Sequence, residues 1–306
     1  MSKTNLGVPK LNDILEGFDS SEDLPSYLRI SLLDSCQHAC FFCHNEGSDV
    51  THTKIDEDLL FKVISAYFGL GKTKIRFTGG EPTLHPDLES YMIHTKELNP
   101  LANLGLTTNG VLLSNFSEEF YSSLDSITVS LHSLDRETHR KITGKDTLPQ
   151  IMEGIDYVIS QGFEGLKLNA VVCEYNKDEL ESLAEYAHER NIPLKFLDIL
   201  PSPSGENNHL IDPSEIIRLL DAVRTERPDL SSYLVFKGKP FYEKCIDCDS
   251  KKYCGESGYL RLTAQGSLNP CLYRPDLNLV PVGSDTSEDI TKKVALGLRR
   301  VKYDNI

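Results

Sequence analysis

Three cysteines lie close together near the start of the sequence, in the segment LLDSCQHACFFCHNEG (residues 32–47). Cys36, Cys40 and Cys43 have the spacing C-x3-C-x2-C, in a chain with only eight cysteines among 306 residues. Paired disulfides use an even number of cysteines, and a structural zinc site uses four ligands. Three thiolates in one short loop therefore favour an iron–sulfur cluster with one iron left open to a non-protein ligand. The alternative is a zinc loop that takes a fourth ligand such as His44.

The composition is typical of a soluble globular protein, with 39% hydrophobic and 25% charged residues. The net charge of −14 argues against a nucleic-acid partner, but it leaves room for a local basic pocket that binds a small anion. No apolar run reaches the length of a membrane span, and MSKTNLGVPK lacks the apolar core of a signal peptide. We therefore expect no membrane partner and a cytoplasmic location, where clustered cysteines favour metal binding over disulfides.

A second group of cysteines lies near the C-terminus. Cys245, Cys248, Cys254 and Cys271 have the spacing C-x2-C-x5-C-x16-C. Four thiolates could ligate an iron–sulfur cluster completely or hold a structural zinc ion. Cys173 stands apart from both groups, in the apolar run LKLNAVVC, and is expected to be a buried small side chain.

Beyond a polar leader, segments with strand and helix patterns alternate, which predicts an α/β fold with a parallel sheet. Six strands are predicted, in YLRISLLD, KTKIRFTGG, ANLGLTTNG, SITVSLHS, LKLNAVVC and LKFLDIL. Right-handed crossovers between them predict a curved, nearly closed, partial (β/α)6 TIM-like barrel with its functional edge at the carboxyl ends of the strands. The cysteine segment and the GGEP, TTNG and HSLD turns all begin at that edge.

Three regions are expected: a leader at residues 1–25, the partial barrel at 26–205, and a small auxiliary region at 206–306 with the second cysteine group. The loop PSPSGENNH, rich in turn residues, marks the second boundary. From PSEIIRLLDAVRTERPDL onward the strand–helix alternation is expected to stop. His132, in the HSLD turn, is expected to be a polar residue at the barrel edge, with a role in substrate binding or proton transfer as the alternative.

The cysteine segment, directly after the first strand and with Phe42 before its last cysteine, resembles that of the radical S-adenosylmethionine (SAM) superfamily. FTGGEP, at residues 77–82, is similar to that family's second signature, and its glycines would let backbone approach a ligand closely. The resemblance implies a 4Fe-4S cluster on Cys36, Cys40 and Cys43. It also implies SAM on the open iron, an electron donor such as flavodoxin or ferredoxin, and a 5′-deoxyadenosyl radical. The SAM-contacting positions it implies are Phe42, Gly79, Gly80, Glu81, Thr107 and Ser130.

Further segments from about residue 27 to about residue 274 resemble the GTP 3′,8-cyclase branch, which acts in molybdenum cofactor biosynthesis. Among them are KIRFTGGEPTLHPDL, VSLHSLDRETHRKITG and LRLTAQGSLNPCL. The likeness implies a nucleotide or another small anion as the substrate. The positions that match basic residues holding the triphosphate are Arg29, Lys74, Lys167 and Arg261. For each of these alone, an ion pair with a local carboxylate is an equal alternative.

The C-terminal region departs from that branch, because Ser257 stands where the branch has the middle one of three auxiliary cysteines, and Tyr259 replaces an arginine. Its four thiols resemble those of the SPASM and twitch branches, which modify peptides or sugars with the help of a second 4Fe-4S cluster. Three interpretations therefore stay open: a cyclase-like enzyme for a small anion, a SPASM/twitch-type maturase or dehydrogenase for a peptide or sugar, and a non-enzymatic zinc-binding interaction module.

Overall fold

The computed structural model describes residues 27–45, 50–199, 209–237, 259–272, 274–281 and 285–302. The expected leader, most of the expected boundary loop, and Cys245, Cys248 and Cys254 lie outside the described residues. Predictions about those segments therefore stay predictions.

The described strands form one open sheet in the spatial order β7-β6-β5-β4-β3-β2-β1-β8-β9. All neighbours pair in parallel except β8 and β9, which are antiparallel. In chain order the strands are β1 (Leu28–Ser31), β2 (Lys74–Thr78), β3 (Asn103–Thr108), β4 (Ser126–Ser130), β5 (Leu166–Val171), β6 (Leu194–Leu197), β7 (Val235–Lys237), β8 (Leu260–Leu262) and β9 (Leu268–Asn269).

From β1 to β7 the helices alternate with the strands, with two helices between β4 and β5. Within the described residues the α-helices are α1 (Glu57–Gly69), α2 (Leu88–Leu98), α3 (Glu118–Ser122), α4 (Arg136–Thr143), α5 (Leu148–Ser160), α6 (Leu180–Glu189), α7 (Pro213–Glu226) and α8 (Ser287–Lys302). Short 3₁₀ turns occupy Pro82–Leu84, Leu113–Asn115, Lys177–Glu179, Pro228–Tyr233 and Pro275–Leu277.

The strand order determines which face of the sheet is covered by helices. Strands β1 to β7 are neighbours in chain order, so each right-handed crossover places its helix on the same face. Alternate side chains point to that face, and those of Ile30, Phe77, Leu106 and Val129 are fully buried there. The intervening residues point to the opposite face, which is the interior of the partial barrel.

The predicted fold class is confirmed, and all six predicted strands are present. The prediction that the alternation stops at Pro213 is wrong, because α7 leads to a further parallel strand, β7, beside β6. Strand β8, also from the expected auxiliary region, pairs in parallel with β1. Helix α4 was not predicted, since RETHRKIT has few apolar residues to show a helical period. The expected boundary at residues 205 and 206 falls outside the described residues and stays a prediction.

Helix α5 packs tightly against the turn that follows β3. A Cβ atom on Gly154, within α5, would lie 2.3 Å from the backbone oxygen of Gly110, far inside van der Waals contact. By contrast, a Cβ on Gly69 at the end of α1 would meet no atom within 4 Å. The absence of a side chain at Gly154 therefore lets α5 approach the carboxyl end of β3.

We expect Gly154→Ala to lower the free energy of unfolding by about 1–3 kcal/mol, because the added methyl group must displace backbone. Gly69→Ala is the matched control and should be neutral or stabilising by up to about 1 kcal/mol. Urea unfolding of the metal-free proteins measures both. Equal stability of the two variants would contradict the close packing of α5 on the turn.

Candidate functional site

The loop that leaves β1, from Leu32 to Asn45, is called the cysteine loop below. Its first residues stay attached to the sheet, where Leu32 N donates to Thr78 O at 3.0 Å. The buried Asp34 carboxylate accepts hydrogen bonds from the backbone N–H groups of Thr51 and Thr53. These bonds hold the segment after the cysteine loop against the start of the loop. The loop therefore begins from a rigid base at the carboxyl edge of the sheet, as predicted.

The three thiols of the loop form no disulfide. They are close enough for the charge of one to raise the pKa of another. Desolvation by surrounding protein raises the pKa of Cys36 to about 11, although one side of the residue is exposed, and the Glu81 and Cys43 charges add to the shift. Desolvation also raises the pKa of Cys40 to about 12, and the Cys43 and Cys36 charges contribute. A bound cation offsets such a penalty by replacing the protons.

Backbone hydrogen bonds hold the GGEP turn, residues 79–82, against the cysteine loop. Gly80 N donates to Leu33 O at 2.7 Å, and Glu81 N donates to Ser35 O at 2.8 Å. A Cβ atom would lie 2.4 Å from Leu33 O if placed on Gly79 and 2.2 Å from Ser35 O if placed on Gly80. The two glycines are therefore required by the packing of one turn on the other, in addition to any approach of a ligand.

The Glu81 carboxylate links the GGEP turn to the TTNG turn, residues 107–110. It is 1% exposed and accepts from Thr83 N at 3.0 Å, Thr83 Oγ1 at 2.7 Å, Thr108 Oγ1 at 2.6 Å and Asn109 N at 2.7 Å. Burial raises the pKa of Glu81, and these donors oppose the rise. The predicted contact of Glu81 with SAM stays a prediction. In the structure this carboxylate joins the two turns through its hydrogen bonds.

Phe42 lies beside the barrel edge in a T-shaped contact with His132, at a ring-centroid distance of 5.1 Å. His132 is only 4% exposed, and its Nδ1 accepts from Val171 N at 3.1 Å. His132 therefore lies at the barrel edge as expected, and its ring is buried there, where it caps a backbone donor at the end of β5. Cys173 is fully buried in the neighbouring apolar cluster with Ile142, as expected.

Three arginines lie side by side on the interior face of the sheet. The register pairs Arg29 of β1 with Arg76 of β2 and with Arg261 of β8. Arg76 donates to hydroxyl oxygens of Thr128 at 3.2 Å and Thr107 at 3.4 Å, which are neutral groups. Burial lowers the pKa of Arg76, and the Arg29 charge lowers it further. The sequence resemblance implied Arg29 and Arg261 but not Arg76, which lies beside Arg29 on the side away from Arg261.

Lysines extend this positive region across the remaining strands. Lys167 stands opposite Thr128, and Lys195 stands opposite Asn169. Burial lowers the pKa of Lys195, with further contributions from Lys237, Lys167 and Arg76. Lys195 was also missed, although the two-residue alternation of side chains along its strand places it on the interior face.

The distribution of charge over the nine strands is one-sided. Their sequences contain no Asp or Glu. By the register, every Lys and Arg in them faces the interior. These residues, called the interior cations below, are Arg29, Lys74, Arg76, Lys167, Lys195, Lys237 and Arg261.

Two of the interior cations also contact aromatic rings at the amino ends of the strands. Lys74 Nζ lies 5.6 Å from the centroid of the Tyr27 ring, and Arg261 Cζ lies 5.6 Å from that of Tyr259. Cys271 is half-buried and follows β9, which runs antiparallel to β8. It therefore lies toward the amino edge of the sheet, away from the cysteine loop.

Two predicted SAM positions, Thr107 and Ser130, are half-buried and face the interior near the carboxyl edge. Together with Phe42, Gly79 and Gly80 they lie on the segments around the cysteine loop, and their contact with SAM stays a prediction. Within the described residues, no three His, Cys, Asp or Glu side chains are arranged to hold a single metal ion.

Comparison with known proteins agrees with this geometry. The family described as Radical SAM superfamily matches residues 30–187, from β1 into α6. The chain belongs to the radical SAM superfamily. It is therefore an enzyme of a family that uses a 4Fe-4S cluster and SAM, and the zinc-binding interaction module is not supported. In donor chemistry the three thiols of the cysteine loop fit such a cluster, because iron–sulfur clusters select thiolates.

Relatives in this superfamily resemble the chain over most of its length. A protein of Sulfurisphaera tokodaii named probable GTP 3′,8-cyclase is 32% identical over 258 residues, which cover 81% of this chain and 82% of that protein. A GTP 3′,8-cyclase of Thermodesulfovibrio yellowstonii is 30% identical over 286 residues, covering 89% and 86% of the two chains.

Solved structures confirm the fold at low sequence identity. SuiB of Streptococcus suis bound to the precursor peptide SuiA superposes with a TM-score of 0.68 at 17% identity, over 85% of this chain and 62% of that one. Native anSMEcpe with bound AdoMet superposes with a TM-score of 0.63 at 17% identity, over 88% and 82% of the two chains. In the part of the chain that the structure describes, no helix is long and apolar enough to cross a bilayer.

Buried His132 predicts acid sensitivity. Burial lowers its pKa to about 3, whereas an unfolded histidine titrates near about 6.5. Below that pH the unfolded state binds the proton and the folded state does not, so stability falls as the pH falls. We expect the free energy of unfolding to drop by up to about 2 kcal/mol between pH 6.5 and 5 from this group alone.

Urea unfolding of the metal-free protein across this pH range measures the effect. His132→Asn keeps an acceptor for Val171 N and cannot titrate, so its stability should depend less on pH. His94→Asn, at an exposed histidine of α2, is the matched control for removing a histidine and should keep the loss of stability that His132 causes. The same pH dependence in His132→Asn and the unaltered protein would contradict a neutral, buried His132.

Proposed function

We propose that the chain is a GTP 3′,8-cyclase-like radical SAM enzyme whose substrate is a nucleoside triphosphate held in the barrel interior. The observation that carries this proposal is the set of interior cations, which occupy one face of a sheet whose strands contain no acidic residue. The chain as a whole has a net charge of −14, so this concentration of positive charge opposes the overall composition.

The interior cations repel one another. Like charges opposite each other on neighbouring strands are destabilising, and here Arg29 stands opposite both Arg76 and Arg261. The lowered pKa of Lys195 has the same origin in part, since Lys237 and Lys167 contribute to it. A ligand with several negative charges would offset this repulsion, and phosphate oxygens suit the planar donors of arginine.

Residues paired across neighbouring strands form rows at different depths in the barrel interior. These rows indicate how such a ligand would lie. Ser31 and Thr78 are paired nearest the cysteine loop, and Arg29 and Arg76 are paired two residues earlier in their strands. Two residues of strand correspond to roughly 7 Å. The triphosphate would therefore occupy the arginine row, and the ribose would lie closer to the cysteine loop.

The reaction we propose is the one that the name GTP 3′,8-cyclase describes for the relatives, the joining of C3′ to C8 within GTP. When bound at Cys36, Cys40 and Cys43, the cluster would supply the electron that cleaves SAM to a 5′-deoxyadenosyl radical. The chain's own contribution is to hold the nucleotide by its phosphates and to place the ribose at the carboxyl edge. Glu81 keeps the GGEP and TTNG turns together around that space.

A second candidate is a SPASM/twitch-type enzyme for a peptide or sugar, favoured by the four C-terminal cysteines. Its second 4Fe-4S cluster would use Cys245, Cys248, Cys254 and Cys271, of which only Cys271 lies among the described residues. Zinc at these thiols is the alternative. Iron and zinc analysis of the anaerobically reconstituted protein separates the two, since about eight irons per chain would require two 4Fe-4S clusters.

The electron donor, such as flavodoxin or ferredoxin, and the cytoplasmic location are part of the proposal.

The cluster proposal predicts that Cys40→Ala loses most of its iron and its cleavage of SAM, because an iron loses its thiolate ligand. Cys173→Ala, at the buried thiol outside both groups, is the matched control and should keep both. Iron assay and detection of 5′-deoxyadenosine after reduction with dithionite measure the outcome. Unchanged iron content and nucleoside release in Cys40→Ala would refute the three-thiol cluster.

The substrate proposal predicts that Lys167→Gln weakens GTP binding by about tenfold or more, because a charge-assisted contact to phosphate is lost. Arg76→Gln should have at least as large an effect. Arg218→Gln, at a surface residue whose side chain is 74% exposed, is the control and should bind GTP normally. Anaerobic equilibrium binding and turnover of GTP measure the effect, with guanosine as the uncharged comparison.

Equal affinity for GTP and guanosine would contradict phosphate binding by the interior cations. Cleavage of SAM without consumption of GTP would favour the second candidate.

A further inference from the structure

One threonine hydroxyl links the cysteine loop to two helices. His38 lies between Cys36 and Cys40, and its Nε2 is 2.8 Å from Thr147 Oγ1. The same oxygen is 3.1 Å from Nε2 of His139. The two imidazole rings meet edge to face, with centroids 5.8 Å apart. Thr147 immediately precedes α5 and His139 belongs to α4, so the contact joins three separate segments.

The direction of these hydrogen bonds follows from the number of protons. A hydroxyl has one proton, so Thr147 can donate to only one ring and must accept from the other. His139 Nδ1 is buried without a hydrogen-bond partner, and a buried acceptor left bare is better tolerated than a buried N–H. The proton of His139 therefore belongs on Nε2, which donates to Thr147. Thr147 in turn donates to Nε2 of His38.

The neighbouring residues of the loop have contacts of their own, including a hydrogen bond from Gln37 Nε2 to Asn109 Oδ1 at 3.3 Å. Ala39 N donates to Thr143 O at 2.8 Å and Phe41 N donates to Ile142 O at 3.3 Å, which satisfies carbonyls at the end of α4. The backbone N–H of His38 instead donates to Cys36 Sγ at 3.3 Å. Within the Cys36–Cys40 segment, the contact with Thr147 is the one that holds the His38 side chain, and through it the His38 peptide, near that sulfur.

We propose that Thr147 is a positioning residue for the iron–sulfur cluster: its hydroxyl, held between His38 and His139, fixes the segment between Cys36 and Cys40 and the sulfur atoms at its ends. Groups that orient metal ligands from outside the ligand set commonly change metal affinity by tenfold or more. The proposal rests on membership of the radical SAM superfamily and is independent of the substrate.

The test compares Thr147→Val, which removes the hydroxyl and keeps the shape, with Thr147→Ser, which keeps the hydroxyl. In the anaerobically reconstituted full chain, we expect iron release to a chelator to be about tenfold faster in Thr147→Val. It should return to within about twofold of the unaltered rate in Thr147→Ser. His139→Phe removes the other end of the bridge and should accelerate iron release in the same way.

Two further readouts separate positioning from a general loss of stability. In the metal-free chain, hydrogen exchange of the residue 38 and 39 amides should be faster in Thr147→Val. Thr95→Val is the matched control, because Thr95 is buried in α2 and its Oγ1 donates to Tyr91 O at 2.7 Å. It should lower the melting temperature and leave iron release unchanged.

Unaltered iron release in both Thr147→Val and His139→Phe would overturn the proposal, as would equal acceleration by Thr95→Val. Failure of Thr147→Ser to restore slow release would also overturn it. None of these measurements involves GTP, so their outcome is separate from that of the proposed function.

Discussion

The site depends on the direct packing of two backbone turns at the carboxyl edge of the sheet. Gly79 and Gly80 lie so close to Leu33 and Ser35 that neither position has room for a Cβ atom. Two backbone hydrogen bonds from the GGEP turn close the contact. Because these turns follow neighbouring parallel strands, their positions are set by the sheet register as well as by each other. The cysteine loop is thereby held at a fixed height above the barrel interior.

The Glu81 carboxylate extends this arrangement to a third strand. Its oxygens accept hydrogen bonds from both sides, from Thr83 just after its own turn and from Thr108 and Asn109 at the end of β3. A buried carboxylate is costly unless it is fully hydrogen-bonded, so the two turns and the carboxylate stabilise one another. The carboxyl ends of β1, β2 and β3 are therefore joined to one another. The TTNG turn and the cysteine loop are both fixed at this edge, beside the barrel interior.

Much of this could be predicted from the sequence, because alternating apolar residues show strands and three clustered cysteines show a thiolate site. The errors have physical causes. Helix α4 was missed because its burial rests on a few residues such as His139 and Ile142, which give no clear apolar period. The burial of His132 was not foreseen, since a sequence does not show that a backbone N–H at the end of β5 needs a cap. Arg76 could have been found, because it shares the alternation of Lys74.

The separation of charge between exterior and interior has a consequence for binding. The interior cations belong to a chain of net charge −14, so the rest of the molecule carries an excess of acidic groups larger than that net charge. A polyanion is repelled by such a surface at long range and attracted only where the barrel interior is open to it. Low-dielectric walls and charges of one sign strengthen the local field, so under the proposed function the interior would favour a multiply charged anion over a singly charged one. The burial that lowers the pKa values of Arg76 and Lys195 is thus also what would make a phosphate chain a better ligand there than at an exposed basic patch.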